Sequence, residues 1–482
     1  MYLGTERQRC MIDHADPCAP TSKVSPTSPH STPPQNKVTT KERVYYVLPI
    51  AFIAAFAISA TSASTVYAYA SILCTDPTHC EDNERNRYAG AVAIATTLSN
   101  SISIVAICLL RQWAETNPKL GLCLWLICRG LSVIVLSVGV IFHNIYIAIA
   151  GRIFEGLATD NILHYTLAAV YVRAGDESRF PRLMGTSLAL YMIGMSISPA
   201  LVTLLPHFLF SFLLAFTLLG SSLFYLLAFV PGLTPVTESD YGDHSESHRG
   251  RDAVGSFSIF TPIRYLVYEP TALFASLAIF FYNTAQAYLF PAIMVYATLK
   301  FGFTSVENSY IVSIAAGTSS ICLFTVFYII PWLHVVLSLL GAVGTAGNTC
   351  NADVEATVKT RSTAYMFYSN MFYAVLSMSI QAVTLPAFLV IKTEWHIYVL
   401  IILVALGLAA PSFIKSYTVA IASSKDSALA GLAIMESLGG LFSSIILGVI
   451  QSSISQNSVF IVASMLVGAA ILCLAGSYFT RR

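Results

Sequence analysis

SRFPRLMGTSLALYMIGMSISPAL, residues 178–201, and KDSALAGLAIMESLGGLFSSII, residues 425–446, are two apolar stretches with small residues at matching intervals. Aligned on that pattern, Gly185 falls opposite Gly431 and Gly194 opposite Gly440. A glycine on a bilayer-spanning helix lets a neighbour approach closely, so a repeated glycine register implies a repeated packing. The match predicts two related helical units facing one another across a cavity near mid-depth.

Working outward, apolar segments of this kind fill the chain. Of 482 residues, 56% are hydrophobic and only 11% charged, against roughly 25% charged residues in a soluble domain. That deficit excludes an ordinary water-soluble fold. A bilayer core about 30 Å thick needs about 20 apolar residues per helix. Hydropathy places such segments at 44–72, 88–111, 119–142, 146–172, 182–205 and 208–231, then at 271–299, 308–332, 363–391, 397–423, 427–454 and 458–479. The expected fold is an all-α membrane protein of 12 transmembrane helices in two six-helix halves, 44–231 and 271–479. Residues 330–350 blur the end of span eight, and either continue it or fold back against the membrane.

The flanks differ in character. Residues 1–43 are polar and rich in Pro, Ser and Thr, and read as a disordered cytoplasmic tail without a signal peptide. Ser25, Ser28 and Thr32 are Pro-directed phosphorylation candidates there. Residues 232–270 read as a cytoplasmic linker, and 480–482 as a short cytoplasmic terminus. His244 and His248 in the linker belong to a solvated loop rather than a metal site. With the tail inside, Lys and Arg near the span ends favour the cytoplasmic side by roughly four to one. Only Arg85, Arg87, Lys300 and Lys392 fall outside, which puts both termini in the cytoplasm. Cys74 and Cys80 share the outer loop CTDPTHCEDNE, where a disulfide and two free thiols are both open readings.

No CxxC pair, HExxH, phosphate-cradling GxxxxGK[ST] or dinucleotide fingerprint occurs. Enzymatic chemistry, a cofactor and a metal are therefore not expected. The net charge of +1 points to no nucleic acid.

Charges inside the spans are few. An ionised side chain at the membrane centre costs roughly 2.5 to 3.5 kcal/mol on insertion scales, so each asks for a partner or a function. They are Arg129 in span three, Arg152, Glu155 and Asp160 in span four, Lys415 in span ten and Glu436 in span eleven. At about 1.5 Å per residue, Arg129 and Asp160 lie roughly 15 and 18 Å deep, Lys415 and Glu436 roughly 12 and 14 Å. Equal depth predicts the ion pairs Arg129 with Asp160 and Lys415 with Glu436. Arg152, Gly156, Asp160 and His164 recur every four residues along one face of span four, with Glu155 on an adjoining edge. Arg152 and Glu155 can simply neutralise each other; alternatively Glu155, Asp160, His164 or Glu436 exchanges a proton. Tyr282, Asn283 and Gln286 in span seven are candidates for cavity lining, as are the hydroxyls of span one from Ser59 to Tyr67, although such groups also bond helices together. Of the aromatic rings Phe280, Phe281, Tyr288 and Tyr296, most are expected to face lipid or the interface belt.

Four stretches resemble one family in order and placement. RQWAETNPKL at 111–120 is similar to the GxLADRxGRK loop of the major facilitator superfamily through Glu115 and Lys119. GRIFEG at 151–156 resembles its span-four RxxxG, DESRFPRLMG at 176–185 its PPERRGRAMG, and YMIGMSISPAL at 191–201 its GxxxGP turn. The Cys-bearing outer loop and Glu436 look like the branch of tetracycline exporters and proton-coupled folate transporters. The resemblance implies secondary active transport of a small organic solute by rocker-switch alternating access, with protons and the lipid bilayer as further partners and a monomer as the working unit. It also implies that Glu115 and Lys119 belong to a conformational latch. The family's loop glycines are Arg111 and Pro118 here, and its first arginine is Thr116. That departure motivates the alternative of a non-transporting sensor or partner protein on a transporter scaffold.

Overall fold

In the computed structural model the described residues are 43–77, 80–173, 180–230, 264, 266–330, 333, 369–422, 425–453 and 455–481. Ser25, Ser28 and Thr32, most of the linker with His244 and His248, and 334–368 lie outside them. Every regular element among the described residues is helical, and nine stretches are long and apolar enough to cross a membrane. The chain is an integral multi-pass membrane protein.

In chain order the helices are α1 Leu48–Leu73, α2 Asp82–Thr116, α3 Pro118–Ile141, α4 Ile145–Leu157, α5 Asp160–Arg173, α6 Phe180–Val202, α7 Leu209–Phe229, α8 Pro270–Gln286, α9 Leu289–Phe301, α10 Ser305–Phe324, α11 Ser369–Val390, α12 Trp395–Gly407, α13 Ala410–Ile421, α14 Lys425–Ser453 and α15 Ser458–Arg481. Local signals fix several of their ends. Asn144 caps α4 by accepting from the Tyr146 and Ile147 amides at 3.0 and 3.3 Å. Thr304 and Glu307 form a capping box that starts α10 at Ser305, before the expected 308. Cys74 and Cys80 are joined as a disulfide across the α1–α2 turn.

Three expected spans are discontinuous, and each break has a sequence cause or a stabilising partner. Span four splits at Ala158 and Thr159, where the Trp125 indole donates to the Thr159 carbonyl at 2.9 Å. Span seven splits at Ala287 and Tyr288, just before Pro291, and the Tyr288 amide donates to the Ser443 hydroxyl at 2.9 Å. Span ten splits at Leu408 and Ala409, just before Pro411. Pro411 has no amide hydrogen for the Gly407 carbonyl one turn back, and the Tyr282 hydroxyl supplies one at 2.6 Å. In a bilayer such freed backbone groups must be met by protein, which is what the Ser443 and Tyr282 hydroxyls do at the breaks in spans seven and ten.

The glycine contacts correct the register of the sequence match. A Cβ on Gly194 would lie 2.7 Å from the Phe52 carbonyl oxygen and 3.2 Å from both Ala55 Cβ and Phe56 N. A Cβ on Gly439, not Gly440, would meet the same set on α8: Phe280 O at 2.6 Å, Asn283 Cβ at 2.9 Å and Thr284 N at 3.2 Å. Gly440 faces looser space, with Ala287 Cβ at 3.7 Å. The sequence match places Gly194 opposite the wrong one of two adjacent glycines because composition alone cannot tell which of them faces the neighbouring helix.

Contacts between the helices before residue 231 and those after 269 run chiefly along two seams, α2 against α14 and α6 against α10. Gly439→Ala is expected to destabilise the protein by about 1–3 kcal/mol through overpacking against the Phe280 carbonyl. Gly440→Ala should be close to neutral, and the melting temperatures of the two purified variants in detergent check the contrast.

Candidate functional site

A cavity of about 390 Å³ lies among the helix middles. Thr61, Ser62 and Thr65 of α1, Asn100 of α2, Arg129 of α3, and Arg152 and Glu155 of α4 form its polar wall. Phe290, Pro291 and Met294 of α9, Val312 and Ala315 of α10, and Leu408 form the apolar wall opposite. Two helix breaks reach this space directly, since Ala287 and Leu408 are on its surface.

Close helix approach assembles the charged cluster. Gly151 sits where a Cβ would be 3.0 Å from the Ser132 carbonyl, bringing α4 onto α3. Gly156 sits where a Cβ would be 2.6 Å from the Ser99 carbonyl, bringing α4 onto α2. On this framework Glu155 bridges two guanidiniums, with Oε2 at 2.7 Å from Arg152 Nη1 and Oε1 at 3.3 Å from Arg129 Nη1. Arg152 Nε also donates to the Tyr69 hydroxyl at 3.0 Å, and its guanidinium lies 5.7 Å from the centre of the Tyr69 ring. Arg129 is 8% exposed and Tyr69 fully buried. Removing the shared carboxylate would leave two buried cations without a counter-ion, which is strongly unfavourable.

The equal-depth pairing of Arg129 with Asp160 is therefore corrected: the carboxylate at Arg129 belongs to Glu155. The break at Ala158 and Thr159 is the physical reason. It interrupts the four-residue stripe from Arg152 to His164 and makes Asp160 an exposed first residue of α5, where a negative charge suits the helix N-terminus. His164 stacks edge-on against Tyr191 with ring centres 4.6 Å apart. Lys415 and Glu436 are brought together, Nζ to Oε2 at 2.6 Å, joining α13 to α14.

Tyr282, Asn283 and Gln286 do not line the cavity. Tyr282 is bonded to Gly407 as described, Asn283 Nδ2 donates to the Glu436 carbonyl at 2.9 Å, and Gln286 Oε1 accepts from Gln381 Nε2 at 2.6 Å. Buried amides and hydroxyls must be paired, and here interhelical partners satisfy them. Tyr288 and Tyr296 are likewise buried in protein rather than turned to lipid. The Lys119 ammonium donates to the Val230 carbonyl, tying the start of α3 to the end of α7; the Glu115 side chain lies outside the described residues.

Sequence reasoning missed Tyr69, Asn100, Phe290 and Met294. The last two carried a usable signal, since Pro291 in an apolar span marks a break and breaks line cavities. Tyr69 carried none, being one of several aromatic residues on α1.

No protein-family model and no curated protein sequence gives a significant match to this chain. Solved structures do. The human organic anion transporter MFSD10 (TETRAN) matches with TM-score 0.57 at 12% identity, over 92% of this chain and 100% of that one. The nucleoside transporter NupG matches with TM-score 0.56 at 13% identity, over 92% and 99%. A POT family transporter in complex with 5-aminolevulinic acid matches with TM-score 0.56 at 13% identity, over 90% and 96%. At such identities the likeness is one of fold, and the chain has the fold of these transporters.

The Lys415 and Glu436 contact makes a charge-exchange test direct. Lys415→Glu and Glu436→Lys should each lower the yield of folded protein, and the double exchange should restore it, with a coupling of about 0.5–3 kcal/mol.

Proposed function

We propose that this chain is a secondary active transporter of a small organic solute, coupled to protons and working by alternating access. In this reading twelve spans form two six-helix halves, 44–231 and 271–479, with both termini in the cytoplasm. The observation that carries it is the cavity itself: a polar, charged wall from α1–α4 facing an apolar wall from α9, α10 and the α12–α13 break. The repeated glycine contact at Gly194 and Gly439 supports two related halves. Fold neighbours that carry organic anions and nucleosides support the solute class.

The seams suit a rocking movement. The hydrogen bonds described between the early and the late helices are neutral, among them Asn100 to the Gly440 carbonyl at 2.8 Å and Ser313 to the Ser196 carbonyl at 2.7 Å on the seams, and Ser64 with Ser305 at 3.1 Å between α1 and α10. Each such bond is worth about 1 kcal/mol net, so the seams can part at modest cost. The clusters at Glu155 and at Lys415 each stay on one side and need not separate. A proton on Glu155 would free Arg129 and Arg152; Asp160, His164 and Glu436 are the other candidates for coupling.

A second reading, a non-transporting sensor or partner protein, is favoured by the loop. Its base Lys119 is engaged on Val230 of the same side instead of reaching the later helices. Proteoliposomes loaded with a broad solute panel separate the two. Transport predicts that a pH gradient drives accumulation, and that among Glu155→Gln, Asp160→Asn and Glu436→Gln the coupling residue is the one whose loss abolishes accumulation but spares solute exchange. Absence of gradient-driven accumulation for every solute would favour the sensor.

A further inference from the structure

The charges lining the cavity do not balance. Arg129 and Arg152 face it with one carboxylate, Glu155, between them, and no other acidic residue is among those lining it. One formal positive charge is left over in a space walled by protein, where water screens it poorly. Nor are the donors used up. A guanidinium offers five N–H groups. Arg152 commits Nε to Tyr69 and Nη1 to Glu155, and Arg129 commits Nη1 to Glu155. No other described residue accepts a hydrogen bond from either guanidinium, and both border the cavity.

Resting on the transport reading, we propose that the cavity binds a small organic monoanion, a carboxylate with an apolar body, seated with its carboxylate on Arg129 and Arg152. The apolar body would lie on Phe290, Met294 and Leu408 across the 390 Å³ space. Arginine pairs recognise carboxylates and phosphates through the same paired N–H geometry. The single surplus charge decides between them: a carboxylate carries one negative charge, whereas a phosphate monoester carries about −1.5 to −2 near neutral pH. Glu155 acts as a built-in competitor, an internal carboxylate holding the donors that the solute must share. This gives Glu155 an effect of opposite sign to that of the arginines it touches.

The test is a binding measurement on the purified full-length protein in detergent, read as ligand-induced shift in melting temperature. The probes are benzoate and hexanoate, their neutral amides benzamide and hexanamide, the cation benzylamine, and phenyl phosphate. Both carboxylates should raise the melting temperature in a saturable way, and the amides, the amine and phenyl phosphate should do so far less. Arg129→Gln and Arg152→Gln should each weaken the carboxylates by roughly tenfold or more. Glu155→Gln should tighten them, a gain that a misfolded variant cannot mimic. Equal stabilisation by the amides, stronger stabilisation by phenyl phosphate, no stabilisation by either carboxylate, or weaker carboxylate binding in Glu155→Gln overturns the assignment. Uptake into proteoliposomes keeps the two readings apart. A carboxylate that binds but never accumulates sinks transport and leaves the anion site standing. Accumulation of neutral solutes without carboxylate binding does the reverse.

Discussion

One carboxylate, that of Glu155, holds two guanidiniums inside a bilayer-spanning bundle, and the helices around it have few other places to stand. Arg152 and Glu155 share α4, so their contact is local; Arg129 must be carried in from α3. That requires α3 and α4 to nearly touch, which Gly151 allows, and Gly156 then seats α4 on α2. Tyr69 of α1 closes the cluster from a fourth helix. The packing of the first helices is thus dictated by the need to keep a small number of expensive charges together.

The second constraint is the backbone. Breaking a helix within a membrane exposes amides and carbonyls that no lipid can satisfy, yet the described structure contains three such breaks. Ser443 and Tyr282 stand where freed groups emerge at two of them, and at the third Trp125 adds a second donor to the Thr159 carbonyl, which also accepts from the Leu163 amide. Two of those breaks border the cavity, so the irregularity sits where a shaped surface is needed.

Hydropathy made the membrane-spanning character legible, because burial in lipid demands long apolar runs whatever the detailed packing. The site was legible only in part. All three residues of the charged cluster stood out as intramembrane charges, and Lys415 could be set beside Glu436 because both spans were measured from the same side. The same arithmetic misassigned Arg129, since a ruler of 1.5 Å per residue gives depth and not facing: Glu155, further along on α4, is the carboxylate turned to Arg129, while Asp160 stands exposed at the start of α5. Tyr282, Asn283 and Gln286 looked like cavity lining for a related reason. A polar residue in a span signals only that it needs a partner, and a neighbouring helix serves as well as a solute. Gly439 and Gly440 show the limit at its finest: adjacent glycines differ only in which way a missing side chain would point.

The distribution of strong and weak interactions bears on movement. Ion pairs that are costly to separate sit within the early helices or within the late ones, at Glu155 and at Lys415, while the seams between them are bridged by hydroxyls, one amide and close glycine contacts. Gly448, whose added Cβ would collide with Ala93, shows how tightly α14 lies on α2 without any charge to hold it. Dispersion contacts of that kind are lost in proportion to the area that opens, and a new set can be gained on the other face. Buried ion pairs offer no such exchange, since a separated charge finds no substitute partner in lipid. Under the proposed alternation, a bundle is best built with its charges paired among the early helices or among the late ones and its small residues where the two sets meet, because only contacts of the second kind can be exchanged cheaply.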